Sequence, residues 1–400
     1  MTGRAIGPRE VEEGRGRDMA GHESWGGRFP VNDIIQLLDN FPTHNLGEST
    51  SQDLSLGEVL DLAGIQDLRE LRLGYASAAG SPALRDRISS LCGAPADHVI
   101  TTQGVGLALF LLAFEHCRPG DEAVIATPCF PPSRDVLTGT GVRVIPVALD
   151  FDGGYRLDVG RLVEQLSPRT TLVCLASPQN PSGVRVRATE VEALLDAMSQ
   201  NAPNAFLLID EIYRDATYGA APVAPSFASL DPRMITTGSI SKAHGAPGLR
   251  VGWMTVPDPD LRARLTVAKM NIVLSSSVLD EALAERILAG REVVLAPRRA
   301  SLDQALGTLG DWHARQEHRI DWVRPEGGAM CCMRLRSDHF DDASVSRFWE
   351  RLPANDIQLG AGPWFGESTR VFRLGFGYLP LPGFRSALDQ LAATMDHVTQ

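Results

Sequence analysis

The sequence predicts an α/β protein in which a mostly parallel, seven-stranded sheet lies between helices, with a smaller α+β domain beside it. Three observations carry that prediction. Short apolar, β-rich runs alternate with helical patterns from about residue 80 to 256. The runs look apolar on both faces, as strands of a buried parallel sheet do. A chain of 400 residues also exceeds the size at which a single core stops growing.

Residues 1–28 carry charges and glycines without an apolar stretch, so a flexible arm is expected there rather than a leader or an anchor. In "SPALRDRISSLCG", Ser81 is placed to cap a helix and Pro82 to open it; Leu84, Ile88 and Leu91 share a face, and Gly93 stops it. A strand is expected at 98–101, followed by a helix containing "LALFLLAF". Further strands are expected at 122–127, 142–149 and 171–176. "TEVEALLDAM" then reads as a helix with Thr189 and Glu192 in capping-box register and Val191, Leu194, Leu195 and Met198 at helical spacing. The last three strands fall at 205–210, 234–238 and 251–256. Beyond about residue 290 the alternation fades, and "REVVLAPRRASLDQALGTL" predicts a long helix leading into a more irregular lobe. The expected division is a large domain over 55–285 and a small one built from 29–54 and 286–400.

Composition narrows the function classes. A net charge of -11 argues against a nucleic-acid partner, which needs a clustered basic face. No apolar run is long enough to span a bilayer. The six cysteines are scattered without CxxC pairs, as in core residues of a reducing, cytoplasmic compartment. No HExxH or GxxxxGK[ST] occurs, and no metal site is expected. Small-molecule chemistry is the class that remains.

Lysine is nearly absent: of thirty-eight Lys+Arg residues only Lys242 and Lys269 are lysine. Where arginine serves almost everywhere, a retained lysine marks a task a guanidinium cannot perform, such as nucleophilic attack on a carbonyl. Lys242 stands in "SISKAHGAPGLRVGW" (239–253), just past a predicted strand. Three other segments also follow predicted strands: "TTQGVG" (101–106), "SPQNPSG" (177–183) and "DEIYRD" (210–215). In an open α/β sheet such segments converge on one rim, where ligands bind.

Together these segments resemble the class I/II aminotransferases, enzymes of fold type I that use pyridoxal 5′-phosphate. The resemblance covers roughly residues 45–380. Its most specific part is Ser239, Ser241, Lys242, Gly248, Leu249, Arg250 and Gly252, matching the family's Ser-x-Ser-Lys followed by Gly-Leu-Arg-x-Gly. The resemblance implies that Lys242 forms a Schiff base with the cofactor aldehyde and that Ser239, Ser241 and Arg250 hold its phosphate. Gly104, Val105 and Gly106 would supply the other half of that cradle, although the family usually has Ser or Thr near 105 or 106. Asp210 would pair with the pyridine nitrogen, which keeps the ring an electron acceptor. Asn180 and Tyr213 would hydrogen-bond the phenolic oxygen, and Phe130 in "TPCFPP" would stack on the ring.

Tyr75 in "GYASAAGSPALR" matches a tyrosine that reaches the phosphate of a neighbouring subunit, implying a homodimer with composite sites. Arg373 in "TRVFRLGFG" matches the arginine that binds the substrate α-carboxylate, a task suited to a planar fork. Gly47 in "HNLGES" sits where the family closes over substrate. His244, two residues past the lysine, departs from the pattern and is assigned to substrate contact, with space-filling as the alternative. Plainer readings stay open for single segments: a turn for the glycine pair and for "NPSG", a helix cap for Asp210, packing for Phe130.

The expected activity is transfer of an amino group between an amino acid and a 2-oxo acid through Lys242. The alternative keeps the cofactor but ends in elimination, replacement or cyclisation of a modified amino acid. "SLGEVLDLAG" (55–64) resembles capreomycidine synthase-like cyclases that act on hydroxylated arginine. Fold alone does not separate these outcomes.

Overall fold

The computed structural model describes residues 27–62 and 68–399, so most of the expected N-terminal arm and part of "SLGEVLDLAG" lie outside the described residues. The central sheet contains β1 (Val99–Gln103), β2 (Glu122–Thr127), β3 (Arg143–Ala148), β4 (Thr170–Ala176), β5 (Phe206–Asp210), β6 (Met234–Ser239) and β7 (Val251–Thr255). Their spatial order is β1-β7-β6-β5-β4-β2-β3. β7 runs antiparallel to both neighbours, and the remaining pairs are parallel. All strands except β7 therefore end on the same edge of the sheet. Every residue of β2 and β6 is buried, as the continuous apolar runs predict for a sheet covered on both faces.

β3 departs from that pattern. It is one of the sheet's two edges, carries Pro146 and is largely exposed; an edge strand has one free side and tolerates a residue without an N–H. Helix boundaries differ in detail. Helix Pro82–Cys92 opens with proline and closes on Gly93 at φ 66°, but the Ser81 side chain makes no cap; its backbone N–H donates to Glu281 Oε2 at 2.7 Å instead. The expected capping box at Thr189 gives way to an earlier start. Helix Ala188–Asn201 begins where Glu190 Oε2 accepts from the Arg187 N–H at 2.7 Å.

A second sheet, antiparallel and four-stranded, contains β8 (Ile320–Val323), β9 (Met330–Leu335), β10 (Gly360–Ala361) and β11 (Val371–Gly375) in the order β10-β11-β9-β8. Helix Arg291–Gln316 and helix Leu381–Val398 share one apolar core with it, through Leu302, Leu309, Trp312, Met333, Phe372 and Leu391 among others. His44–Asn45 pairs in parallel with Ile357–Gln358, and the Gly375 N–H donates to Leu46 O at 2.8 Å. Those contacts carry segment 46–51 from the second sheet toward the carboxyl edge of the first. Among the described residues no helix is long and apolar enough to cross a membrane, and the six cysteines are free and buried.

Candidate active site

Loops leaving β1, β2, β4, β5 and β6 meet at the carboxyl edge of the large sheet. Phe130, Gln179, Asn180, Asp210 and Tyr213 line one cavity there. Asp210 ends β5, in register with Thr237 on β6. Its Oδ1 accepts from Thr237 Oγ1 at 2.8 Å and from the Ile212 N–H at 3.1 Å. Burial pushes this carboxyl up to about 6, while Thr237, the Ile212 N–H and Lys242 pull it down.

Lys242 is half-buried. Its Nζ lies 3.4 Å from Ser49 Oγ and 5.8 Å from the centroid of the Tyr213 ring. The Tyr213 hydroxyl sits 2.8 Å from Ser49 Oγ and accepts from Asn180 Nδ2 at 3.4 Å. Asn180 in turn accepts at Oδ1 from Arg373 Nη1 at 2.9 Å, and Arg373 Nη2 donates to Gly47 O at 2.6 Å. One chain of contacts thus runs from Lys242 through Ser49, Tyr213 and Asn180 to Arg373.

Arg373 is 2% exposed and its Nε has no hydrogen-bond partner among the described residues. Its guanidinium lies 4.8 Å from the centre of the Phe365 ring. Burial pushes its pKa down, against Tyr213 and Glu48, yet a guanidinium stays charged at any working pH. A buried, partly unsatisfied fork of this kind suits a carboxylate ligand.

The side of the site at Arg250 and Gly104 is built by close approach. Arg250 adopts the left-handed conformation at φ 54°, and its Nη1 donates to Pro247 O at 3.0 Å. The guanidinium packs over Gly104, where a Cβ would stand 2.5 Å from Nη2. Gly104 has φ +71°, so it must be glycine on both counts. It begins helix Gly104–His116, whose free N–H groups favour an anion. Ser239 Oγ accepts from the Ser241 N–H at 2.9 Å, and both serines are buried. A basic, glycine-lined helix start, a buried carboxylate and a lysine between them suit pyridoxal phosphate, an anionic aldehyde with a ring nitrogen.

Two predicted residues are not brought into this cluster. Tyr75 is 87% exposed, beside Ser77, Ser81 and Glu281. His244 is 1% exposed and lies beside Asp215 rather than in the cavity with Asn180 and Asp210; it sits in the turn closed by the Gly245 N–H donating to Lys242 O at 3.2 Å. Conversely, Ser49 and Thr237 touch the central residues and had no signal in the sequence, since an isolated hydroxyl has no periodicity. Gln179 is the residue before Asn180 and could have been found from that; its Nε2 donates to Pro128 O at 2.9 Å.

This combination of sheet, carboxyl-edge cavity, buried aspartate and lysine defines a fold-type I pyridoxal-phosphate enzyme. The chain belongs to the aminotransferase class I and II family, which it matches over residues 44–377. It is 33% identical over 333 residues to capreomycidine synthase of Streptomyces vinaceus, covering 83% of each chain. It is 27% identical over 318 residues to arginine–pyruvate transaminase AruH of Pseudomonas aeruginosa, covering 77% of this chain and 78% of that one. The structure superposes on a PLP-dependent aminotransferase from Streptococcus suis with a TM-score of 0.82 at 23% identity, covering 91% of this chain and 97% of that one. Pyridoxal phosphate is the cofactor.

Proposed function

We propose that the protein is an aminotransferase that moves an amino group between an amino acid and a 2-oxo acid, with Lys242 as the group that handles the cofactor aldehyde and the Cα proton. The observation that carries this reading is the contact chain from Lys242 to Arg373. It sets a proton-carrying amine and a carboxylate-binding fork at opposite ends of one short path. When bound, pyridoxal phosphate supplies the electron sink that makes an α-proton acidic. Asp210 would hold the ring nitrogen, Asn180 and Tyr213 the phenolic oxygen, and Phe130 the ring face. Arg250, Ser239, Ser241 and the backbone of Gly104, Val105 and Gly106 would hold the phosphate.

Arg373 binds the substrate carboxylate in this reading, with Gly47 and Asn180 fixing the orientation of the fork, so that the Cα–H bond is presented to Lys242. Lys242 Nζ then takes the proton from Cα as general base and delivers it again as general acid. Tyr75 would act on the cofactor of a second copy in a cytoplasmic homodimer; its exposure beside Leu73, 81% exposed, supports cover by another chain. The large domain would comprise 55–285 and the small domain 29–54 with 286–400, closing over substrate.

A second reading is favoured by the identity to capreomycidine synthase: the same proton abstraction followed by elimination, replacement or cyclisation of a modified amino acid such as a hydroxylated arginine. The deciding experiment incubates holoenzyme with amino acids that include guanidino and hydroxylated compounds and resolves cofactor and product by mass spectrometry. Aminated cofactor with a 2-oxo acid is expected. Unchanged cofactor with loss of water or ammonia from the substrate establishes the second reading instead. Lys242→Arg keeps the charge and should abolish both turnover and the borohydride-sensitive visible band; normal turnover in that variant refutes the assignment of Lys242.

A further inference from the structure

His244 is fully enclosed two residues beyond Lys242, and neither ring nitrogen has a hydrogen-bond partner among the described residues. Its Nε2 lies 3.6 Å from Asp215 Oδ2. Asp215 closes the segment that Asp210 opens, and its Oδ1 accepts from Arg291 Nη2 at 3.0 Å. The same small cavity that His244 and Asp215 line also reaches Thr237 and Ser239. The imidazole therefore stands behind the site, between the loop that carries the lysine and the segment that carries the buried carboxylate.

The lysine loop has little freedom elsewhere. The Ser51 N–H donates to Lys242 O at 3.2 Å and the Leu54 N–H to Gly245 O at 2.7 Å. Gly245 sits at φ +69°, and a Cβ there would stand 2.2 Å from Gln52 O. A phenyl ring would fill the space of His244 without polar atoms, so burying two unbonded nitrogens is costly unless the contact with Asp215 is used. About half an ångström of closure brings Nε2 into hydrogen-bonding range.

We propose that His244 is a positioning residue for Lys242: its contact with Asp215 sets the spacing between the lysine loop and the Asp210–Asp215 segment, and so the reach of the lysine amine toward the cofactor and Cα. Burial pushes the imidazole down to about 4, with Asp215 opposing and Arg291, Arg298 and Arg214 adding to the effect. The ring is neutral at working pH and acts through its N–H and its shape, not through charge. The inference rests on the assignment of Lys242 above.

The test compares His244→Phe, which keeps the volume, with His244→Gln, which keeps an N–H for Asp215. Four quantities are read: the pH titration of the visible band of the cofactor-loaded enzyme, kcat, KM, and the melting temperature of the cofactor-free protein. The phenylalanine variant should move the titration midpoint by about half a pH unit or more. It should also lower kcat about tenfold while KM changes less than about threefold, with glutamine restoring most of both. An unchanged midpoint and kcat in His244→Phe overturns the proposal, as do losses in both variants that track melting temperature alone. If His244→Phe does not fold, Asp215→Ala, which removes the acceptor, replaces it, with the same two outcomes. A wild-type enzyme without a borohydride-sensitive band would instead defeat the Lys242 assignment, which separates the two failures.

Discussion

Substituting alanine for Gly104 tests the phosphate side of the site with a single carbon. The new Cβ would stand 2.5 Å from Arg250 Nη2 and 3.3 Å from Cζ, so the guanidinium must leave its place over the loop. The backbone at φ +71° adds strain of about 1–2 kcal/mol for any residue with a Cβ. A displaced Arg250 loses one or two charge-assisted bonds to a bound phosphate, each of about 1.5–3 kcal/mol. At about 1.4 kcal/mol per tenfold, cofactor affinity should fall roughly 10- to 100-fold or more. The assay is a cofactor titration followed in the visible band, with the melting temperature of the cofactor-free protein measured alongside. Gly106 provides the comparison: a Cβ there meets no heavy atom within 4 Å, so Gly106→Ala should change stability by no more than about 0.5 kcal/mol. If Gly104→Ala binds cofactor within about twofold of wild type, Arg250 does not hold the phosphate as argued.

Arg373→Lys should lower kcat/KM for the amino acid about 10- to 100-fold, because an ammonium cannot bond Asn180, Gly47 and a carboxylate in one plane; steady-state kinetics check this. Lys269 is fully buried, with Nζ 3.2 Å from Thr101 Oγ1, which also bonds Glu281 Oε1 at 2.5 Å. Lys269→Met should therefore destabilise the protein by about 1–3 kcal/mol in a denaturant titration, since Thr101 loses a buried partner and Glu281 a nearby cation while keeping its bonds from Thr101 and Ser81. The folded-state pKa of His244, about 4, lies below its ordinary 6.5, so the folded form resists protonation and the unfolded chain binds the extra proton. The contribution of His244 is complete above pH 6.5 and is lost as pH falls toward 4, up to about 3 kcal/mol. The stability difference between wild type and His244→Phe should narrow across that window, and chemical denaturation at a series of pH values reads it.

The strands were legible because a parallel strand covered on both faces must be an unbroken apolar run, and such runs bound themselves. β2 has the expected limits, 122–127, and the other six differ from expectation by one or two residues at an end. β3 shows where that logic thins: at an edge the run need not be apolar, and Arg143 and Pro146 reflect it. Lys242, Asp210 and Asn180 were visible as chemically unusual residues at or just past strand ends. Ser49 was not, because its meeting with Tyr213 and Lys242 is made by the chain crossing from the second sheet to the first. His244 misled for a related reason. Sequence adjacency to Lys242 suggested the cavity, whereas the turn at Gly245 directs the imidazole into the interior.

The interior position of Lys269 has a practical side. With that side chain sealed and thirty-six of the basic residues arginine, an amine-directed reagent meets one lysine side chain within reach, Lys242. Reductive alkylation, activated esters and aldehyde probes therefore become active-site titrants for the lysines of the folded protein. Labelling at Lys242, read by peptide mass spectrometry with and without bound cofactor, measures how far the cofactor shields it.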